Sequence, residues 1–448
     1  MNELLNNTNS GKRPKVVIIG SGFGGLWAAR TLANQSVDVV VIDRNNYHTF
    51  LALLYQVAAA ELTAEDIAYP VRNIFWKISN IDFILAHAQR IDLQNHQIKT
   101  DGETVSYDYL ILANGSVTST FGVPGVEEHA YFLKTLEEAV ALKNHIICCF
   151  EAATREKNAE RKKMLLTFVI VGGGATGVEY AGALAELIHS PLTKDYPDID
   201  FSETRIILLE AAQQLVLSMP SAIRDYTAGQ LRKMGVDVRP KRAVSAVYPD
   251  RVVLKDEDNI ETGTVIWTAG VKGEGLAAVS NITVTRDGRV AVKDTLQIHD
   301  QPNIYVIGDL AAIHEGGRIL PMVAQVAIQS GVASAQNILR QIAGLSPKPF
   351  IYYKDRGSMI TIGRKAAGVA IGSRTFTGFF AWLMWLVIHL FNLIGFRNRV
   401  MVLINWAWDY LLYERAVRFV FPSEAVSDSK SSSCSSGNKS DNDLSGGI

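Results

Sequence analysis

Two glycine-rich turns fix the architecture of this chain before anything else is considered. The first is Lys15-Val-Val-Ile-Ile-Gly20-Ser-Gly22-Phe-Gly-Gly25, and the second is Phe168-Val-Ile-Val-Gly172-Gly-Gly174-Ala-Thr-Gly177. Each follows a short β-branched run that reads as a buried parallel strand, and each opens an Ala-containing helix. The first glycine of such a motif makes the tight turn, the second lets a pyrophosphate approach the backbone, and the third lets helix and strand pack closely. The helix N-terminus adds free N–H groups and a partial positive charge. One such turn is a weak signal. Two in one chain point to two bound dinucleotides, and hence to a flavin paired with a nicotinamide in an oxidoreductase.

Each fingerprint needs a carboxylate at the end of its next strand to meet the adenosine ribose. Val37-Asp-Val-Val-Val-Ile-Asp43 supplies Asp43 at the usual spacing of about 20 residues. Arg205-Ile-Ile-Leu-Leu-Glu210 supplies Glu210 later than usual, after a polar insertion at 189–200 that contains two prolines. Ala-Ala-Gln-Gln follows Glu210, with no arginine for a 2′-phosphate, which favours NADH over NADPH. Two further strands end in small-residue turns, one at Ala113-Asn-Gly115 and one at Thr268-Ala269-Gly270. A last strand runs into Gly308-Asp309, whose carboxylate is placed to bond a ribityl chain. Gly20, Gly22, Gly25, Asp43, Ala113, Gly115, Gly308 and Asp309 are therefore assigned to FAD. Gly172, Gly174, Gly177, Glu210, Ala269 and Gly270 are assigned to NADH.

Composition narrows the chemistry. The formal net charge is −1, so nothing suggests a nucleic-acid partner. Only Cys148, Cys149 and Cys434 are present, and no pair has the C-x-x-C or C-x₄-C spacing of a redox disulfide beside a flavin. That argues against disulfide reductases and sulfide:quinone oxidoreductases. No His/Cys cluster has metal-ligand spacing, so no metal is expected. Residues 1–13 carry no apolar signal segment. From Ser423 the chain is polar and Ser-rich, and is expected to be disordered.

These motifs resemble the two-dinucleotide-binding flavoproteins. Leu53-Leu-Tyr-Gln-Val-Ala58, Asp66-Ile-Ala-Tyr-Pro-Val-Arg72, Gly172 to Glu186, Ala324-Gln-Val-Ala-Ile-Gln329 and an aromatic C-terminal stretch narrow the resemblance to the type II NADH:quinone oxidoreductases, over residues 14 to 420. Ala52 replaces an expected proline and Asn114 a frequent threonine, departures that bear on loop geometry and not on chemistry. The resemblance implies non-covalent FAD, with NADH as donor and a membrane quinone as acceptor, and no proton pumping. It also implies contact with a lipid bilayer surface, a homodimer, and a peripheral, monotopic location on the cytoplasmic face of the inner membrane.

Three residues are expected to carry the chemistry. Glu179, placed in the first turn of the second fingerprint helix, would orient the nicotinamide or relay protons; the plain alternative is a carboxylate that complements the helix dipole. Gln325 and Gln329 lie four apart on one helix face, and the resemblance sets that face beside the flavin at the quinone entrance. The plain alternative for them is an exposed polar helix start.

The fold class is thus α/β, with two Rossmann-like dinucleotide-binding domains arranged as in glutathione reductase and a C-terminal helical membrane-anchoring region. The expected order is FAD domain at 14–125 and 297–350, inserted NADH domain at 126–296, anchor at 351–422 and tail at 423–448. In the anchor, Thr375–Phe396 is uncharged and Val400–Tyr413 is a second apolar stretch, with Arg397 and Arg399 between them and Arg415 and Arg418 after. Its apolar core of about 18 residues just meets the length of a transmembrane helix. A spanning helix, a buried helix and a hairpin in one leaflet all fit. The resemblance favours the hairpin, with Trp382, Trp385, Trp406 and Trp408 in lipid and arginines at headgroups. The alternative activities are reduction of a soluble electron-carrier protein, and redox sensing by a nucleotide-binding protein.

Overall fold

The computed structural model describes residues 13–351, 355–412, 418 and 420. The Ser-rich tail from Ser423, Cys434, Tyr413 and Arg415 lie outside the described residues. The chain forms two units, the first from Met1–Thr49, Ala68–Val117 and Val271–Arg356, the second from Phe50–Ile67, Thr118–Gly270 and Gly357–Ile448.

In the first unit, the β-branched run Lys15–Ile19 becomes the middle of a six-stranded sheet. The order is Gln297–Ile298, Gln301–Val306, Tyr109–Leu112, Lys15–Ile19, Asp38–Asp43, Ile81–Leu85. All neighbours are parallel except the first pair. Val16, Val17 and Ile18 are fully buried, as a parallel strand covered on both faces requires. The chain turns from this strand into the helix Phe23–Leu32. The long helix Ala324–Ile342 crosses that helix so closely that a Cβ on Gly331 would collide with the Gly24 carbonyl.

The second unit repeats the plan. Its five-stranded parallel sheet runs Ala130–Phe132, Thr264–Trp267, Thr167–Val171, Arg205–Glu210, Val236–Pro240. Val169, Val171, Ile207, Leu209 and Trp267 pack from one sheet face into a core with the hairpin strands Val244–Val247 and Arg251–Leu254. The helix Ala175–Leu187 follows the second glycine turn and runs on through a π-helical turn, Ile188–Leu192, into the polar insertion.

The C-terminal apolar run is divided into pieces. Thr375–Thr377 belongs to an edge strand, Gly378 turns the chain with φ of 83°, and the helix is only Phe379–Asn392. A second helix, Phe396–Leu412, begins after Gly395, whose φ is 89°. Arg397 and Arg399 therefore sit in the first turn of the second helix and do not form a linker. Among the described residues no helix is long and apolar enough to cross a membrane. Fourteen residues reach about 21 Å, short of a hydrocarbon core of about 30 Å.

The structure also corrects the expected roles of the tryptophans and arginines. Trp382, Trp385 and Trp406 are buried in protein, and of the four only Trp408 is exposed. Arg399 caps the preceding helix by donating to the carbonyls of Phe391 and Leu393, and Arg418 pairs with Asp195. The buried indoles and these bonds serve the packing of the helices, and Arg397 keeps its exposure.

Candidate active site

The first glycine turn is built by backbone geometry. Gly20 has φ of 102°, and its N–H donates to the Ile42 carbonyl at 2.8 Å. A Cβ on Gly25 would strike the Gly20 carbonyl, so the third glycine is what lets the helix sit against the turn. Gly22, the N-cap, faces open space, and the helix has neither a capping side chain nor an acidic residue in its first turn. Such a helix start offers its N–H groups and the positive end of its dipole to an anion. Asp43 Oδ2 accepts from Ser21 N–H at 2.6 Å and Ser21 Oγ at 2.8 Å, so the carboxylate also braces the loop.

The other residues assigned to FAD gather at the same sheet end. Ala113 follows the neighbouring strand and lies against Gly20, and Gly115 has φ of 76°. Gly308 donates its N–H to Ser330 on the helix that carries Gln325 and Gln329. Asp309 accepts from Ser116 Oγ at 2.6 Å. Two buried polar atoms near this cradle, Asn114 Oδ1 and His48 Nε2, have no hydrogen-bond partner among the described residues. His48 Nδ1 is bonded to the Ser21 carbonyl at 2.8 Å, which ties that ring to the loop. An open anion cradle flanked by unsatisfied buried polar atoms suits a bound dinucleotide, so the residues fit FAD.

The second cradle matches the first almost atom for atom. Gly172 has φ of 114° and donates to the Leu209 carbonyl at 2.8 Å. A Cβ on Gly177 would strike the Gly172 carbonyl, and Gly174 faces open space. Glu210 Oε2 accepts from Gly173 N–H at 2.6 Å and Oε1 from Ala212 N–H at 2.7 Å. Thr268 bridges the Val171 and Gly172 carbonyls at 3.0 and 3.2 Å, which fixes the Ala269-Gly270 turn beside the cradle. Arg242 gives its backbone N–H to the Glu210 carbonyl, while its guanidinium is engaged by Asp256 and Asp258.

Glu179 lies in the second turn of its helix, not the first, because the helix starts at Ala175 with Gly174 as N-cap. A macrodipole role fades beyond the first turn, which weakens the plain alternative. Its Oε1 accepts from Thr361 N–H at 3.4 Å. The residue keeps some exposure, but desolvation of its carboxyl outweighs that bond and pushes its pKa up to about 8. Gln325 and Gln329 occupy the first turns of Ala324–Ile342, both half-buried, and Gln325 Oε1 accepts from Arg356 N–H at 3.0 Å.

Several contributors carry no sequence signal. Ser21, Ser116 and Thr268 are ordinary residues beside the motifs, and only their bonds reveal them. Trp406 Nε1 donates to Gln56, Asn405 to Asp66, and Asn398 to the Glu65 and Asp66 carbonyls. Arg364 joins Asp409 at 2.8 Å and Glu186 at 3.3 Å. This network fastens the last helix to the Leu53–Ala58 segment and to the second fingerprint helix. No local periodicity announces pairs more than 330 residues apart. Cys149 is a buried free thiol, and burial pushes its pKa up to about 12, far from a reactive thiolate. Among the described residues no group of three or more His, Cys, Asp or Glu is placed to hold a metal.

The sequence and fold have close counterparts. A family model for pyridine nucleotide-disulphide oxidoreductases matches residues 14–331. A type II NADH:quinone oxidoreductase of Mycobacterium tuberculosis is 39% identical over 90% of this chain and 89% of its own length. A mitochondrial internal alternative NAD(P)H-ubiquinone oxidoreductase of Solanum tuberosum is 31% identical over 90% of this chain and 87% of its own. Among solved structures, Plasmodium falciparum NDH2 in complex with NADH superposes with a TM-score of 0.84 at 20% identity, covering 92% of this chain and all of that one, a likeness of fold. By its paired cradles and these relatives, the chain belongs to the pyridine nucleotide-disulphide oxidoreductase family and to the type II NADH:quinone oxidoreductases.

Proposed function

We infer that this protein oxidises NADH and reduces a membrane quinone by two electrons, without moving protons across the membrane. The observation that carries this reading is the duplicated cradle, one of whose copies ends in Glu210 and favours NADH. Bound FAD would supply the two-electron relay between nicotinamide and quinone. Gly20, Gly22 and Gly25 would hold its pyrophosphate, Asp43 its adenosine ribose, and Ala113, Gly115, Gly308 and Asp309 its ribityl and flavin portion. Gly172, Gly174 and Gly177 would hold the NADH pyrophosphate and Glu210 its adenosine ribose, with Ala269 and Gly270 beside the nicotinamide half.

Quinone reduction consumes two protons. With a pKa near 8, the Glu179 carboxyl holds a proton at neutral pH, the state a proton relay needs. Gln325 and Gln329, on the helix tied to Gly308 through Ser330, would donate amide N–H groups to the quinone carbonyls.

A quinone lives in lipid, and the two C-terminal helices suit a bilayer surface. Phe379, Leu383, Val387 and Phe391 are exposed four residues apart on one helix, and Phe396, Val400, Ile404 and Trp408 on the other. These faces support a peripheral, monotopic seat in one leaflet; the cytoplasmic side, where NADH is made, and a homodimeric state are part of the same proposal. The domain reading follows the cradles, with 14–125 and 297–350 for FAD, 126–296 for NADH and 351–422 for the membrane. Steady-state oxidation of NADH and NADPH by the purified protein, against a panel of quinones, tests the activity. Turnover with NADH and quinone is expected; NADH oxidation with no quinone reduction would defeat the reading.

A further inference from the structure

Phe121 is an oddly placed aromatic residue. Its φ is 52°, a left-handed backbone that a bulky side chain rarely adopts, and it is 70% exposed. Surrounding bonds hold it there. Ser119 N–H donates to the Gly270 carbonyl at 3.2 Å, and Trp267 Nε1 donates to the Ser119 and Ala269 carbonyls at 2.9 and 3.0 Å. The ring occupies the space a Cβ on Gly270 would need. Gly270, with φ of 74°, thus makes room for an aromatic ring that is left largely uncovered.

The strand order says what passes beside that ring. Arg205–Glu210 lies on one side of Thr167–Val171, and Thr264–Trp267 lies on the other. A dinucleotide with its pyrophosphate at Gly172–Gly177 and its adenosine ribose at Glu210 must extend its other half over the end of Thr264–Trp267. That end is Thr268-Ala269-Gly270, and Phe121 borders it.

We propose that Phe121 is the aromatic wall for the nicotinamide ring of NADH, held in its strained backbone so that the side chain meets the ligand. The proposal rests on the reading of Gly172–Gly177 and Glu210 as the NADH cradle. It assigns Phe121 to the nicotinamide ring only, so ADP-ribose, which lacks that ring, is indifferent to it.

The test uses the FAD-loaded protein and the variants Phe121→Gly and Phe121→Trp. Glycine adopts a positive φ freely, so Phe121→Gly removes the ring without adding backbone strain, and its melting temperature is expected to match or exceed that of the unchanged protein. Binding of NAD+ and of ADP-ribose is measured for each. Loss of the ring is expected to weaken NAD+ about tenfold, or about 1.4 kcal/mol, and to leave ADP-ribose within about twofold. Phe121→Trp is expected to keep both affinities. Unchanged NAD+ binding by Phe121→Gly, or equal weakening of both ligands, would overturn the proposal while leaving the cradle in place. Failure of the unchanged protein to bind either ligand would overturn the cradle and the proposal together.

Discussion

Glu210 Oε2 accepts the backbone N–H of Gly173 at 2.6 Å, so the carboxylate proposed to select the nucleotide also holds the glycine turn. Asp43 does the same for Ser21, at the same distance, in the other unit. Each carboxylate places a second oxygen on the N–H two residues onward, Ala212 and Asn45 respectively. Strand end, glycine turn and carboxylate are bonded together in each cradle.

Replacing Glu210 therefore has two effects. Glu210→Ala leaves the Gly173 and Ala212 N–H groups without their partner, a loss of about 1.5–3 kcal/mol for a hydrogen bond to a charged group. NADH KM is expected to rise about tenfold. Removing the negative charge also relieves its repulsion of a 2′-phosphate, so the preference for NADH over NADPH narrows. Steady-state kinetics with both donors measure this; a preference that does not narrow would show that Glu210 does not face the ribose.

On the proposed FAD side, Asp309 is the position to test. Its carboxylate is oriented by Ser116 Oγ at 2.6 Å. Asp309→Ala is expected to weaken FAD about tenfold, one charge-assisted bond being worth about 1.5–3 kcal/mol. Titration of the flavin-stripped variant with FAD, followed by fluorescence, reads the change apart from turnover. An unchanged FAD affinity would remove Asp309 from the site.

Much of this was legible because both cradles are local. A glycine turn, its strand and its helix are contiguous, so the strand–turn–helix geometry at Gly20–Gly25 can be read from spacing alone. Glu179 was misplaced by one helical turn because the helix begins at Ala175, beyond what a glycine count fixes. The three tryptophans were misjudged for a different reason. An amphipathic helix shows which residues are apolar, not which apolar face meets protein. Trp385 is 1% exposed and lies against Tyr55, far away in sequence, as well as His389 and Trp406.

The pKa of Glu179 gives a pH dependence with a definite sign. Burial raises it from the ordinary value to about 8, so the carboxyl is protonated at pH 7 and loses its proton as pH rises past 8. A folded-state pKa above the unfolded value means that the cost of the buried group grows as pH rises from about 4.5 to 8. Quinone reduction is expected to fall above pH 8 in the unchanged protein. In Glu179→Gln it is expected to be slower at pH 7 and flat across pH 7–9. A Gln variant that keeps the same alkaline limb would assign that limb to another group.

The bilayer seat is best tested on exposed side chains. Removing everything after Gly372 would also delete the Arg364–Asp409, Gln56–Trp406 and Asp66–Asn398 contacts, so instability is the expected result of truncation. Phe380, Phe391 and Phe396 are 75%, 72% and 81% exposed, and replacing all three with serine is expected to change folding stability little. Co-sedimentation with anionic vesicles should drop several-fold. Activity with a long-tailed quinone should fall more than with a water-soluble one. Undiminished vesicle binding would place the membrane contact elsewhere.

Anaerobic stopped-flow absorbance at the flavin band separates the donor and acceptor halves of the reaction and tests the central claim directly. One equivalent of NADH is expected to bleach the band, and one equivalent of quinone to restore it. With Gln325→Leu or Gln329→Leu, bleaching is expected at close to the normal rate while recovery slows at least tenfold. A band that NADH bleaches but no quinone restores would contradict a quinone reductase, and equal slowing of both phases would show that the glutamines do not form the acceptor site.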